Sequence, residues 1–161
     1  GIWLEEGLKA KPYLSSSNIR EVEKLLKMGL PTEEAIAKAA LSLVEMHAEI
    51  VVISGGRDGI IVATKDRIFK AVPPPVKARS TVGAGDCVTA GLALKLSRNE
   101  PLIEACRLAV AMGTAAVLNP GTELCHRADV ERLLPQVKVW EMTTKEWAKT
   151  PFPTASNQSQ G

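Results

Sequence analysis

Four consecutive branched apolar residues, Ile50-Val51-Val52-Ile53, constrain the fold more than any other stretch of this chain. A strand with one wet face alternates apolar and polar side chains. A strand that is apolar on both faces must be covered on both, as in a parallel sheet flanked by helices. Ser54-Gly55-Gly56-Arg57-Asp58-Gly59 follows at once. Gly-rich turns at the carboxyl ends of such strands are where open α/β sheets receive ligands, and glycine equally permits a plain reversal into the next apolar run, Ile60-Ile61-Val62-Ala63. Both readings of the turn stand: hairpin connection and ligand loop.

Helical and strand patterns surround this stretch. Pro31-Thr32-Glu33-Glu34 opens a helix with Thr32 as its cap and acids in the first turn, and Ile36, Ala39, Ala40, Leu43 and Val44 form its apolar stripe. Upstream, Ile2 to Lys9 reads as the tail of a helix and Tyr13-Leu14 as a strand end. The polar run Ser15 to Asn18 introduces a helix from Ile19 to Met28, closed by Gly29. Within it, Asn18 and Glu21 have the spacing of a capping box. Downstream, Lys65-Asp66 is a turn, Ile68 to Val72 a strand, and Pro73-Pro74-Pro75 a connection that cannot join a ladder. A helix restarts at Asn99-Glu100-Pro101 and runs to about Leu118, and Asp129 to Leu134 is a last amphipathic turn or two. Beyond Val139 the pattern fades, so the expected organisation is one domain over 1–139 and an irregular tail over 140–161.

Arg79-Ser80-Thr81-Val82-Gly83-Ala84-Gly85-Asp86 carries the chemistry. Gly83, Ala84 and Gly85 are small enough for backbone to approach a charged group, and the apolar run from Val88 to Leu96 is a helix whose first-turn N–H groups would face an anion. Asp86 is then either a helix cap or a base beside a phosphate site, placed to take the proton of an attacking hydroxyl. In the next helix Ala105, Ala109, Ala111, Gly113, Ala115 and Ala116 are all small. They allow either close helix packing or room for a flat ligand beside Val110 and Thr114.

Composition excludes several classes. The 161 residues, 45% apolar, suit one compact domain, and a net charge of +2 spread along the chain offers no basic stripe for nucleic acid. Three cysteines, Cys87, Cys106 and Cys125, have no C-x-x-C or His-pair spacing, which disfavours a disulfide framework and a zinc site. His47 and His126 have no partner at metal-ligand spacing. With no run of about 20 apolar residues and no leader pattern, the expected location is the cytoplasm, without membrane contact.

The motif S-T-V-G-A-G-D from Ser80 to Asp86, with Leu118-Asn119-Pro120-Gly121-Thr122-Glu123-Leu124 downstream, resembles the carboxy-terminal signature of the ribokinase-like (PfkB-type) carbohydrate kinases. It is most similar to their type-2 6-phosphofructokinase branch, with which Ser80 agrees where most members carry Asp. The likeness runs from about Gly1 to about Leu134 and covers the second half of such a kinase. It implies the C-terminal half of a three-layer α/β/α fold that transfers the γ-phosphoryl of ATP to a sugar phosphate, fructose 6-phosphate first. By that resemblance Asp86 is the base, and Gly83, Ala84 and Gly85 supply the anion-stabilising backbone. Ser54, Gly55, Gly56, Arg57, Asp58, Gly59, Val110, Thr114 and Asn18 hold the nucleotide. Asn18 and Glu21 reach Mg2+ through water, and Ser80, Val82, Ala116, Asn119, Gly121 and Glu123 surround K+. Relatives carry a Lys-Pro pair just before the Asn, where this chain has Ser16-Ser17. That departure favours the alternative of a non-catalytic nucleotide-binding fragment; a related kinase such as 1-phosphofructokinase or tagatose-6-phosphate kinase is a further alternative. The expected partners are ATP, a sugar phosphate, the other half of the kinase or another subunit, and further copies in a homo-oligomer. The chain alone is expected not to phosphorylate sugars.

Overall fold

The computed structural model describes residues 12–121 and 123–143. Five strands form one sheet in the order β1-β2-β3-β4-β5: β1 Leu14–Asn18, β2 Ile50–Ser54, β3 Ile60–Ala63, β4 Ile68–Val72 and β5 Lys138–Met142. Helices α1 (Ile19–Leu26) and α2 (Glu33–Met46) lie between β1 and β2 in the chain. Helices α3 (Ala84–Ser97), α4 (Leu102–Val117) and α5 (Arg127–Leu133) lie between β4 and β5. β1 and β2 are parallel, with Leu14 opposite Ile50, Ser16 opposite Val52 and Asn18 opposite Ser54. The connections from β2 to β3 and from β3 to β4 are too short for a crossover, so those strands run as antiparallel hairpins and the sheet is mixed.

The chain divides into two compact units. One contains the described residues up to Ser54, together with Ile61–Ile68 and Met142 onward; the other contains Gly55–Ile60 and Phe69–Glu141. In the first, Val51 and Ile53 of β2 join Val22 of α1, Ala37, Ala40 and Leu43 of α2, and Ile61 and Ile68 in one apolar core. Val52, on the opposite pleat, is fully buried as well, as the continuous apolar run requires. Thr32 caps α2 by accepting from the Ala35 N–H at 3.1 Å. The buried face of α2 is Ala37, Ala39, Ala40 and Leu43, whereas Ile36 and Val44 are only half-buried.

In the second unit α3 and α4 pack closely. A Cβ on Gly91 would come within 2.7 Å of the Ala109 Cα, and one on Gly113 within 2.6 Å of the Val88 Cγ2. Ala109 and Gly113 of α4 are therefore explained by helix contact. Val110 and Thr114 are buried at 3% and 6% exposure, and the Thr114 hydroxyl donates to the Val110 carbonyl at 2.7 Å.

Several local expectations are corrected. Ser15, Ser16 and Ser17 form a strand, because parallel pairing with β2 satisfies their backbone and small side chains fit the buried positions of Ser15 and Ser17. α1 ends at a left-handed Lys27 with φ 56°, two residues before Gly29. α3 starts at Ala84, four residues ahead of the apolar run from Val88, and Pro101 precedes α4 as its cap. Trp140, Glu141 and Met142 belong to β5, past the expected end of regular structure at Val139. The expected helix over Ile2 to Lys9 lies outside the described residues.

Candidate active site

Gly83 sets the geometry of the second unit's anion loop. It caps α3 with φ 80° and ψ −5°, a left-handed conformation that costs glycine little, and no side chain caps this helix end. The Ala84 N–H donates back to the Thr81 carbonyl at 3.4 Å and the Cys87 N–H to the Gly83 carbonyl at 3.0 Å. The N–H groups of Gly85 and Asp86, in the first helical turn, point out of the helix without a carbonyl four residues back in it. A Cβ at either Gly83 or Gly85 would meet nothing within 4 Å, so the space over this turn is open. Asp86 is exposed at the third helical position. Among the described residues its carboxylate has no hydrogen-bond or ion-pair partner, so it does not cap the helix it stands on.

The same unit brings the loop after α4 to the approach of this turn. The Arg79 and Ser80 N–H groups donate to the Val117 carbonyl at 2.7 and 3.3 Å. Ser80 Oγ donates to the Gly121 carbonyl at 3.1 Å and accepts from the Val82 N–H at 3.2 Å. Asn119 is buried, with Nδ2 donating to the Leu124 carbonyl at 2.8 Å. The Ser80 hydroxyl thus ties Val82 to Gly121, and Asn119 anchors the same loop at Leu124. Glu123 Oε2 lies 3.4 Å from His126 Nε2. Sequence reasoning did not anticipate the Ser80 to Gly121 bond, since the two residues are 41 positions apart.

The turn after β2 is tightly wound. The Gly55 N–H donates to the Gly59 carbonyl at 2.9 Å, the Asp58 N–H to Gly55 at 3.2 Å and the Gly59 N–H to Gly56 at 3.0 Å. Gly59, at φ 85°, is required by the reversal itself, because a Cβ there would run into the Ala71 carbonyl. This supports the hairpin reading of the turn and leaves the Gly56 and Arg57 N–H groups as its outward donors. In the first unit, Asn18 Oδ1 accepts from the Glu21 N–H and Glu21 Oε2 accepts from the Asn18 N–H, both at 2.9 Å. The capping box is complete, and each side chain keeps oxygen lone pairs for a hydrated magnesium ion. Among the described residues no three His, Cys, Asp or Glu side chains gather as a metal cage, and no helix is long and apolar enough to cross a membrane.

Residues 4–129 match the family model described as pfkB family carbohydrate kinase. The ATP-dependent 6-phosphofructokinase isozyme 2 of Escherichia coli is 39% identical over 121 residues, 74% of this chain and 39% of that protein. The 1-phosphofructokinase of Borreliella burgdorferi is 33% identical over 142 residues, 88% of this chain and 46% of that protein. The chain therefore spans less than half the length of these curated relatives. Among solved structures, Escherichia coli phosphofructokinase-2 in complex with potassium superposes with a TM-score of 0.79 at 36% identity, covering 84% of this chain and 45% of that one. Arabidopsis thaliana ribokinase complexed with ribose and ATP gives 0.68 at 25% identity, covering 75% and 40%. The mixed five-stranded α/β arrangement is that of the ribokinase-like kinases, and this chain belongs to the pfkB family of carbohydrate kinases.

Proposed function

We infer that this chain carries the phosphate-binding turn and the catalytic base of an ATP-dependent sugar-phosphate kinase. The observation that carries the reading is the start of α3: an uncapped helix end at left-handed Gly83, open space over Gly85, and an exposed Asp86 with no partner among the described residues. Such a helix end stabilises the charge spread over the equatorial oxygens of a transferring phosphoryl group. A free carboxylate at its mouth accepts the proton of the attacking hydroxyl as the new P–O bond forms. Within the second unit, the Gly56 and Arg57 N–H groups and the α4 face near Val110 and Thr114 are the nucleotide side of this reading, although the burial of Val110 and Thr114 makes them wall supports more than contacts. Magnesium would supply charge neutralisation on the ATP phosphates, with Asn18 and Glu21 reaching it through water. The oxygens around Ser80, Val82, Ala116, Asn119 and Gly121 would hold potassium and so fix the loop beside the anion turn.

Fructose 6-phosphate is the proposed acceptor, on the strength of the 6-phosphofructokinase relatives, with fructose 1-phosphate the nearest competitor. A nucleotide-binding role without turnover is the second reading, favoured by Ser16-Ser17 where relatives carry Lys-Pro. The experiment pairs calorimetric MgATP binding with a coupled ADP-release assay, with potassium and each sugar phosphate, on a complete kinase that contains this half and on its Asp86→Asn variant. The kinase reading expects ATP affinity to be kept while turnover falls by roughly two to four orders of magnitude, the worth of a positioned base. A loss below tenfold removes Asp86 from the chemistry, and ATP binding with no sugar-dependent turnover even when the other half is supplied favours the second reading.

A further inference from the structure

One side chain beside the anion turn commits its hydroxyl to the backbone of that turn. Thr89, half-buried in the second turn of α3, donates its Oγ1 hydroxyl to the Gly85 carbonyl at 3.1 Å. By helix register the same carbonyl accepts from the Thr89 N–H, so its oxygen has two donors from one residue. The hydroxyl bond does not serve the helix as such. A threonine that folds back onto the carbonyl four residues earlier slightly destabilises and bends a helix, and alanine, the better helix former, stands at Ala84, Ala90 and Ala93 of the same element. What the bond does hold is one peptide unit. The Gly85 carbonyl and the Asp86 N–H are the two ends of a single planar amide, and that N–H leaves the first turn with no carbonyl four residues back in the helix.

We propose that Thr89 is a positioning residue for phosphoryl transfer, its hydroxyl fixing and polarising the Gly85–Asp86 peptide so that the Asp86 N–H meets the transferring group as a stronger and better aimed donor. Two bonds on the carbonyl oxygen hold the amide plane at one tilt, and an amide whose carbonyl accepts becomes the stronger donor at its nitrogen. The grip matters at this position because glycine has no side chain of its own to restrain the backbone on that side of the peptide. The inference rests on the reading of this turn as the phosphoryl site. Removal of a whole oxyanion donor costs about two to three decades in kcat, and polarisation by a neighbouring bond is worth roughly 10–30% of a hydrogen bond. That fraction of those decades is about two- to eightfold in kcat.

The test is steady-state kinetics on a complete kinase that contains this half, comparing Thr89→Val, Thr89→Ala and Thr89→Ser with Asp86→Asn and the unmodified protein, each checked by a thermal melt. Valine keeps the branched shape without the donor, alanine keeps the helix, and serine keeps the hydroxyl. The valine and alanine variants are expected to lose about two- to eightfold in kcat, with KM for MgATP unchanged and the melting temperature undiminished. Thr89→Ser is expected to retain the kcat of the unmodified protein. Full kcat without the hydroxyl, a serine variant that falls as far as valine, or a loss that follows the melting temperature or the KM for MgATP would each overturn the proposal. Asp86→Asn separates this inference from the one beneath it. If that variant loses its two or more decades while the Thr89 variants stay level, Thr89 alone is dismissed; a loss below tenfold at Asp86 withdraws the site and the proposal together.

Discussion

Gly85 and Asp86 are adjacent residues with separable contributions. At Gly85 the open space means that a valine side chain folds without collision in the protein, yet it stands where an anion would touch the backbone. Gly85→Val is therefore expected to keep the fold and weaken ATP and phosphate-analogue binding at least tenfold, read by calorimetry beside a thermal melt. Unchanged affinity in a folded variant would detach the anion from this turn. Gly83 is different in kind: its left-handed φ makes any side chain strained there even though the space is free, so loss of function at Gly83 would not discriminate binding from folding.

At the scale of elements, the α3 and α4 contact and the α1 cap can each be tested. A Cβ at Gly91 meets the backbone of Ala109, at 2.7 Å from Cα and 3.0 Å from N, and backbone cannot step aside. At Gly113 the nearest obstruction is the Val88 side chain, with the Ala84 carbonyl 3.3 Å away. Gly91→Ala should thus destabilise by about 1–3 kcal/mol in urea unfolding, the range for overpacking, and Val88→Ala should rescue Gly113→Ala but not Gly91→Ala. Equal rescue of both would mean that the helices slide as units. For α1, Glu21→Gln preserves an oxygen to accept from the Asn18 N–H while removing the charge. It should leave the melting temperature nearly unchanged and raise the magnesium concentration needed for ATP binding several-fold. An unaltered magnesium requirement would reduce Glu21 to its capping role, whose loss on Asn18→Ala costs about 1 kcal/mol.

For the whole molecule, burial of Cys106 makes stability depend on alkaline pH. Desolvation pushes this thiol from 9.0 up to about 12, so the folded chain holds a proton that the unfolded chain releases. With the folded value raised, the contribution is fully present below pH 9.0 and declines as pH rises towards 12. In that window the slope attributable to one thiol is about 1.4 kcal/mol per pH unit. Cys106→Ala, compared with the unmodified protein by urea unfolding across this range, should show a shallower decline, and parallel curves would place the titration elsewhere.

The apolar run of β2, the helix stripe of α2, the β3 and β4 hairpin and the G-A-G-D turn were all legible in the sequence, because each depends on residues within a few positions of one another. Side-chain period, cap spacing and glycine placement act at that range; they sufficed for the fold class and singled out the Gly83 to Asp86 turn as the candidate site. What tertiary structure alone decided depends on residues far apart in the chain. The serines of β1 became a strand because β2 lay parallel beside them, and the apparently patternless Lys138–Met142 became one as the last strand of the sheet. Which residues of α4 meet a neighbouring helix was settled the same way: Ala109 and Gly113 lie against Gly91 and Val88 of α3. Asp86 is left exposed and without a partner among the described residues, at a helix end whose cap position is taken by Gly83. Ser80 and Gly121, 41 positions apart, met only because the loop after α4 returns to the start of α3.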